Sequence, residues 1–333
     1  MAALGDAFFV QTFTTTLQRY EKTLVDNVLK EHPVLELFKS SAKSITGRGL
    51  VVPLRAATLG ATGKIGSGDT NQFSTASSTD IMGSAVYEWA SEIVTPFRLK
   101  HRDILQNSGP EQIVSLVEEY VKAAQADHQD YIVAKLHANG ADFTAGDFNS
   151  LDMLVGNALS DDYYDDTNAA WTPIGGINPN TAGKDYWQST RLEIAQADKD
   201  ILAAFRTLTN EIFRASRKRP THVICGFDVY EEFETFLADK NRYPNPEGTA
   251  NTRFSAIKFG DLEVRLDPDC ADDRAYFLNQ PSLRFAYCAG EFMKSYPATP
   301  LEGTLDTVVP IASTILFGVA ERRANGLLIR TYA

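Results

Sequence analysis

Residues Gly109–Gly140 read GPEQIVSLVEEYVKAAQADHQDYIVAKLHANG, and this stretch sets the architecture around it. Ile113, Leu116, Val117, Tyr120, Ala124, Tyr131 and Leu136 recur at helical spacing, with charged and amide side chains between them. Ser108 can cap the start, with Pro110 in the first turn, and Asn139-Gly140 closes the end. The pattern predicts one helix over 110–139, roughly 45 Å long at ~1.5 Å per residue. Such a helix reads as a spine on which a sheet lies.

N-terminal to the spine, Phe13, Leu17, Tyr20, Leu24 and Val28 form an apolar stripe at spacings of three and four. His32-Pro33 breaks this helix, and Leu35, Leu37 and Phe38 add a short apolar patch. With no earlier element to pack on, the stripe must lie across its own fold or across another copy. Val51, Val52 and Leu54 predict a strand, and apolar, β-prone residues return at Val86, Trp89, Ile93, Val94 and Phe97. Between them Ala56–Ser84 is rich in Gly, Ser and Thr, so the two flanks describe a long hairpin or flap. A polar segment of that length carries function or touches a partner.

C-terminal to the spine, a polar connection from Ala141 to Gly183 contains the acidic run Asp161–Asp166. Ile194, Ile201, Phe205, Leu208 and Ile212 predict a helix over Leu192–Ser216, whose end carries Arg214, Arg217, Lys218 and Arg219 before Pro220. His222–Gly226 reads as a buried strand and Asp228–Leu237 as a helix. Strands follow at Leu262–Leu266, Ala275–Leu278, Leu283–Tyr287, Thr314–Val319 and Leu327–Thr331. The fold class is α+β, without an internal repeat.

Composition excludes several functions. Lys plus Arg number 32 against 43 Asp plus Glu, a net charge of −11, so a nucleic-acid-gripping surface is not expected. Nineteen Phe and thirteen Tyr with a full aliphatic complement exclude dominant disorder. Met1–Phe13 lacks a basic region followed by an apolar run, so no signal peptide is expected, and no window is apolar enough for a membrane span. Of three cysteines, Cys225 and Cys288 read as buried thiols, a pattern suited to a reducing cytoplasm. Leu59–Gly68 is glycine-rich, but Ile65 stands where a phosphate loop needs Ser or Thr. The runs Asp161–Asp166 and Asp267–Asp273 lack the calcium-loop Gly and Glu, and the five histidines form no metal motif. No catalytic residue, cofactor or metal is predicted. The basic run Arg214–Arg219 reads as a solvated helix end offsetting the dipole, or as a contact for an acidic neighbour.

The order of elements resembles the major capsid protein of tailed double-stranded DNA bacteriophages. Ile174-Gly175-Gly176-Ile177-Asn178, followed by Tyr186-Trp187-Gln188-Ser189, is similar to a segment that follows the spine helix in that family. Pro220–Ile224 with Val229–Phe233 and Arg242-Tyr243 resembles its axial-domain strand, helix and loop. Phe259–Val264, Tyr276–Asn279 and Ala320-Glu321-Arg322-Arg323-Ala324-Asn325-Gly326 resemble its returning strands and last hairpin. The resemblance implies an N-terminal arm (1–49), an extended E-loop hairpin with its strands (50–100), and a peripheral domain with the spine (101–195). An axial domain (196–300) and returning strands (301–333) complete it. It implies a non-catalytic subunit that forms pentamers and hexamers of an icosahedral shell around double-stranded DNA, assembled in the host cytoplasm and residing in the virion. Scaffolding, portal and decoration proteins are the further partners it implies, with no membrane. Phe13, Leu17, Tyr20, Lys64, Asp69, Arg214, Arg217, Lys218 and Arg219 are the candidate intersubunit contacts. Some relatives crosslink through an E-loop Lys; Lys64 is suitably placed, but no Asn or Glu matches the rest of that motif. An encapsulin-like compartment shell keeps the same fold. An acidic hydrolase using Asp161–Asp166 is the alternative from another class.

Overall fold

The computed structural model describes residues 32–55, 82–102, 116–138, 146–156, 174–178, 185–240, 257–297 and 299–332. In chain order it contains α1 (Pro33–Lys39), β1 (Ala42–Ile45), β2 (Gly49–Arg55), β3 (Met82–Glu88), β4 (Ile93–Leu99), α2 (Leu116–Leu136) and α3 (Leu151–Val155). Then come β5 (Thr190–Ala195), α4 (Ile201–Ser216), β6 (His222–Cys225), α5 (Phe227–Lys240), β7 (Ile257–Phe259), β8 (Leu262–Leu266), β9 (Arg274–Leu278) and β10 (Leu283–Cys288). The chain ends through β11 (Lys294–Ser295), β12 (Thr299–Pro300), β13 (Thr307–Ser313), β14 (Ile315–Val319) and β15 (Gly326–Thr331). Contacts divide it into two units, one holding residues 94–128 and 295–311, the other 32–93, 129–294 and 312–333.

The larger unit is built on a six-stranded sheet in the order β5-β15-β9-β6-β8-β7. Its central strands are buried on both faces, which is why they read as continuous apolar runs. Val223, Cys225, Ala275, Phe277 and Leu328 face one core with α4 and α5; Ile224, Tyr276, Leu278, Leu327 and Ile329 face another. In the first core Phe205 lies 5.2 Å from Phe233 and 5.0 Å from Phe277, centroid to centroid. The second core reaches a three-stranded sheet, β1-β10-β14, where Phe317 packs on Phe38, Phe148 and Phe285 at 4.9–5.0 Å. Phe317→Ala would cost about 3–5 kcal/mol there.

In the smaller unit β13 pairs with β4, β11 and β12. Asp306 accepts from Arg98 Nε at 2.8 Å and from the His101 N–H at 3.0 Å. The His101 amide and Arg98 hold that carboxyl below its ordinary pKa.

Several sequence expectations need correction. Leu192–Ser216 is not one helix: Thr190–Ala195 is a strand parallel to β15, and the helix begins at Ile201. Over six residues a period of two and one of 3.6 share positions, and the hydrogen-bonding partner decides. Pro33 is the first residue of α1, where its missing N–H costs nothing, and the apolar patch Leu35, Leu37, Phe38 is that helix's buried face. In α2 the buried row is Ala124, His128, Ile132 and Leu136, with Val133, while Tyr120 and Tyr131 are exposed. The spine's predicted ends at 110 and 139 lie outside the described residues. Cys225 and Cys270 are the buried thiols, and Cys288 is half-buried. Among the described residues no helix is long and apolar enough to cross a membrane.

Candidate subunit interface

The hairpin root is the most constrained feature of the larger unit. β2 and β3 pair antiparallel from Gly49↔Glu88 to Arg55↔Met82, so residues 56–81 leave from the end of a seven-residue ladder. Alternation gives the ladder two faces. Val52, Ala85 and Tyr87 are buried; Val51 and Val86, a directly opposed pair, are 58% and 42% exposed on the other face. Two opposed valines in water are an apolar contact surface held in place by backbone bonds.

The buried face is held by Tyr87 and a glycine turn. The Tyr87 hydroxyl donates to the Val319 carbonyl at 2.7 Å and accepts from the Val319 N–H at 3.1 Å. Its ring covers Gly318, where a Cβ would meet ring carbons at 2.9–3.0 Å. The Ile174-Gly175-Gly176-Ile177 segment is a tight turn with positive φ at both glycines, 61° and 76°, as a two-residue primed turn requires. The Gly175 carbonyl accepts from the Val86 N–H at 2.8 Å, and a Cβ on Gly175 would lie 2.8 Å from that of Ala85. Trp187 Nε1 donates to the Ile174 carbonyl at 2.9 Å. The glycine motif thus clamps the flap root to the body. A cleft of about 410 Å³ beside the root is lined by Trp89, Asp147, Phe148 and Phe317 among others, and Asp147 is already paired with Lys135 at 3.0 Å.

The segment Ala320–Gly326 is a second hub. Arg322, 1% exposed, donates to the carbonyls of Leu154 (3.0 Å), Trp187 (3.0 Å), Met153 (3.2 Å) and Gly156 (2.6 Å). One planar guanidinium therefore satisfies the C-terminal carbonyls of α3, a helix with Ser150 capping its other end at 3.4 Å. Asn325 accepts from the Asn279 N–H at 2.7 Å and donates to Ser282 Oγ at 2.9 Å.

Of the predicted contacts, Arg214, Arg217, Lys218 and Arg219 are all exposed at the end of α4. Arg217 takes φ 58° and its N–H bonds the Phe213 carbonyl at 2.8 Å, closing the helix. Lys218 Nζ meets Glu321 at 2.5 Å, and the Arg219 guanidinium lies 5.3 Å from the Phe213 ring centroid. Phe13, Leu17, Tyr20, Lys64, Asp69 and the run Asp161–Asp166 lie outside the described residues.

Several buried polar groups pair with one another. Asp152 accepts from Arg274 and from the Tyr276 hydroxyl, all three buried; burial and the Asp152 charge push the Tyr276 phenol well up. Burial alone would raise the Asp267 carboxyl. His137 Nε2 at 3.3 Å, with the N–H groups of Asp269 (3.1 Å) and Val34 (3.4 Å), outweighs that and holds it below the ordinary carboxylate range. His32 lies between Asp130 (3.0 Å) and Asp269 (3.1 Å). Among the described residues no group of three or more His, Cys, Asp or Glu is placed to hold a metal. Pairings such as Asp152 with Arg274 and Asp267 with His137, more than 100 residues apart in sequence, leave no spacing signal.

No protein-family model matches the chain, and no curated protein matches its sequence. Solved structures do. The cyanophage A-1(L) capsid asymmetric unit is 14% identical with a TM-score of 0.64, over 95% of this chain and 98% of that one. The capsid of the native GTA particle is 13% identical with a TM-score of 0.59, over 99% and 100%. The cyanophage P-SCSP1u capsid is 11% identical with a TM-score of 0.57, over 96% and 94%. Matched end to end with these shells, the chain has the α+β fold of tailed-phage capsid proteins.

Proposed function

We propose that this chain is the structural shell subunit of a phage-type head, self-assembling into a closed icosahedral container for double-stranded DNA without catalysis. The observation that carries the reading is the end-to-end likeness to capsid shells, over 95% of this chain and 98% of the cyanophage A-1(L) protein. The geometry supports it: a paired, clamped hairpin root presents exposed Val51 and Val86. In this reading 1–49 is the arm and 50–100 the E-loop with its strands. Residues 101–195 with 301–333 form the peripheral domain, and 196–300 the axial domain. Pentamers and hexamers are the building rings, completed by portal, scaffolding and decoration proteins in the host cytoplasm, and the product is the virion.

Mechanism here is geometry. Identical surfaces meet head to tail in closed rings, and permanent contacts of this kind bury ~2,000 Å² or more. Negative-stain microscopy of the purified, concentrated protein tests the proposal. Closed shells of one or a few diameters are expected; monomers at every concentration would overturn it.

A further inference from the structure

Charge is distributed unevenly along α4. At its C-terminal end Arg214, Arg217 and Arg219 are exposed without an ion-pair partner among the described residues, as is Arg206 in mid-helix; Glu211 is the one acid among them, and Lys199 adjoins the opposite end. At its N-terminal end Asp200 joins Asp228 and Glu231 of α5 on the wall of a groove of about 510 Å³; these carboxylates are exposed and equally unpaired among the described residues. The groove floor is already built, because Glu232 is held by Arg330 at 2.9 Å and by the Tyr332 hydroxyl at 3.2 Å. The fourteen residues from Asp200 to Arg214 rise about 21 Å at ~1.5 Å each, so the groove and the basic C-terminal end of α4 cannot meet within one subunit.

Helix dipoles favour these signs at these ends, but they do not call for the pocket beside the basic set. Arg206, Thr209, Asn210, Arg219 and Gly260 enclose about 180 Å³, with Asp261 on the rim offsetting one of the two cations. The Thr209 hydroxyl oxygen there is sealed from solvent and has no hydrogen-bond partner. A pocket lined by two arginines against one aspartate carries a net positive charge and suits one incoming carboxylate. Phe213, 45% exposed beside Arg219, and the half-buried Phe236 and Tyr332 in the groove give each side an apolar surface next to its charges.

We infer that the basic tip of α4 docks into the acidic groove at the N-terminal ends of α4 and α5 of a second copy of this chain. A tip at one end and a groove at the other form a head-to-tail contact, the kind that closes into rings. The inference takes its partner from the shell-subunit reading, and it adds which surfaces meet.

Two charge-reversed variants test it. One carries Asp200→Lys and Glu231→Lys in the groove; the other carries Arg214→Glu and Arg219→Glu at the tip. All four positions are exposed, and melting temperatures report folding; Arg206→Glu, in mid-helix, replaces the tip pair if that variant melts early. Sedimentation at 0.15 M salt should show at least tenfold less associated material than the parent for each variant alone, since like charges then face one another. A 1:1 mixture should regain association, because each reversed surface then meets its complement on the other variant. Variants that associate like the parent, or a mixture no better than its components, would overturn the docking. The shell reading is read separately. A rescued mixture without closed particles supports the contact and counts against the shell, and closed particles from unimpaired variants do the reverse.

Discussion

At the scale of single residues, much of the fold is held by polar groups that have no freedom to be elsewhere. Arg322 is the sharpest case. Four carbonyls from two segments converge on one buried guanidinium, so lysine, a point charge without the fork, leaves several of them unpaired. Arg322→Lys should destabilise by about 2–4 kcal/mol, read as a lower denaturation midpoint at unchanged slope. His128 and Asp267 give the pH dependence. Burial lowers the His128 pKa; Thr95 lies 2.9 Å from its Nδ1, and its Nε2 is sealed in without a partner. Its folded pKa is below the unfolded one, so the stability it contributes is present above the ordinary histidine pKa and lost as pH falls through and below it. Asp267, also lowered, adds a second loss at more acid pH, below the ordinary carboxylate range. Thermal melts should therefore fall in two stages, and His128→Gln should shrink the stage between about pH 7 and 5, leaving the part carried by His222, whose pKa burial also lowers. A single acid transition unchanged by that substitution would refute this assignment. His128 was visible in the sequence only as a histidine on a helix; its burial comes from the i, i+4 row it shares with Ala124 and Ile132.

At the scale of elements, four strands of the six-stranded sheet, β6, β8, β9 and β15, were legible because their apolar runs are long and their flanks carry turn residues. The spine was legible for its period, although its burial fell on Ile132 and Val133 rather than on Tyr120 and Tyr131. What could not be read were elements stabilised from outside. The helix α3 has five residues inside a polar connection and exists because Ser150 and Arg322 satisfy its two ends. β5 needed β15, more than 130 residues later, to decide between strand and helix. The hairpin gives the clearest element-scale prediction. Its root is fixed by Tyr87, Gly175 and the ladder, and the last paired residues are Arg55 and Met82. Deleting Leu59–Ser78 should leave a soluble subunit whose melting temperature changes by less than about 3 °C, yet whose shells do not form. Loss of folding, or normal shells, would each contradict it. Gly175→Ala should act in the opposite sense, lowering stability by about 1–3 kcal/mol through its positive φ and its contact with Ala85.

At the scale of the whole molecule, the −11 net charge sets how copies approach one another. Like-charged subunits repel over distances that salt screens, with a Debye length of about 10 Å at 0.1 M, whereas contact pairs are screened less. Assembly yield should therefore pass through a maximum between about 0.05 and 0.5 M salt, measurable by light scattering. A yield that only falls with salt would mean that attraction between charges dominates at every range. Of the two surfaces proposed to dock, the basic run stands in the sequence, whereas the acidic groove does not, because Asp200, Asp228 and Glu231 come together only in the packed fold. The central proposal is that residues 56–81 hold a neighbouring subunit. Electron cryo-microscopy of assembled particles tests that most directly. The account predicts a closed icosahedral shell in which residues 56–81 continue from the β2–β3 ladder onto an adjacent subunit; a shell whose hairpins fold back on their own subunits, or a protein that stays monomeric, would contradict it.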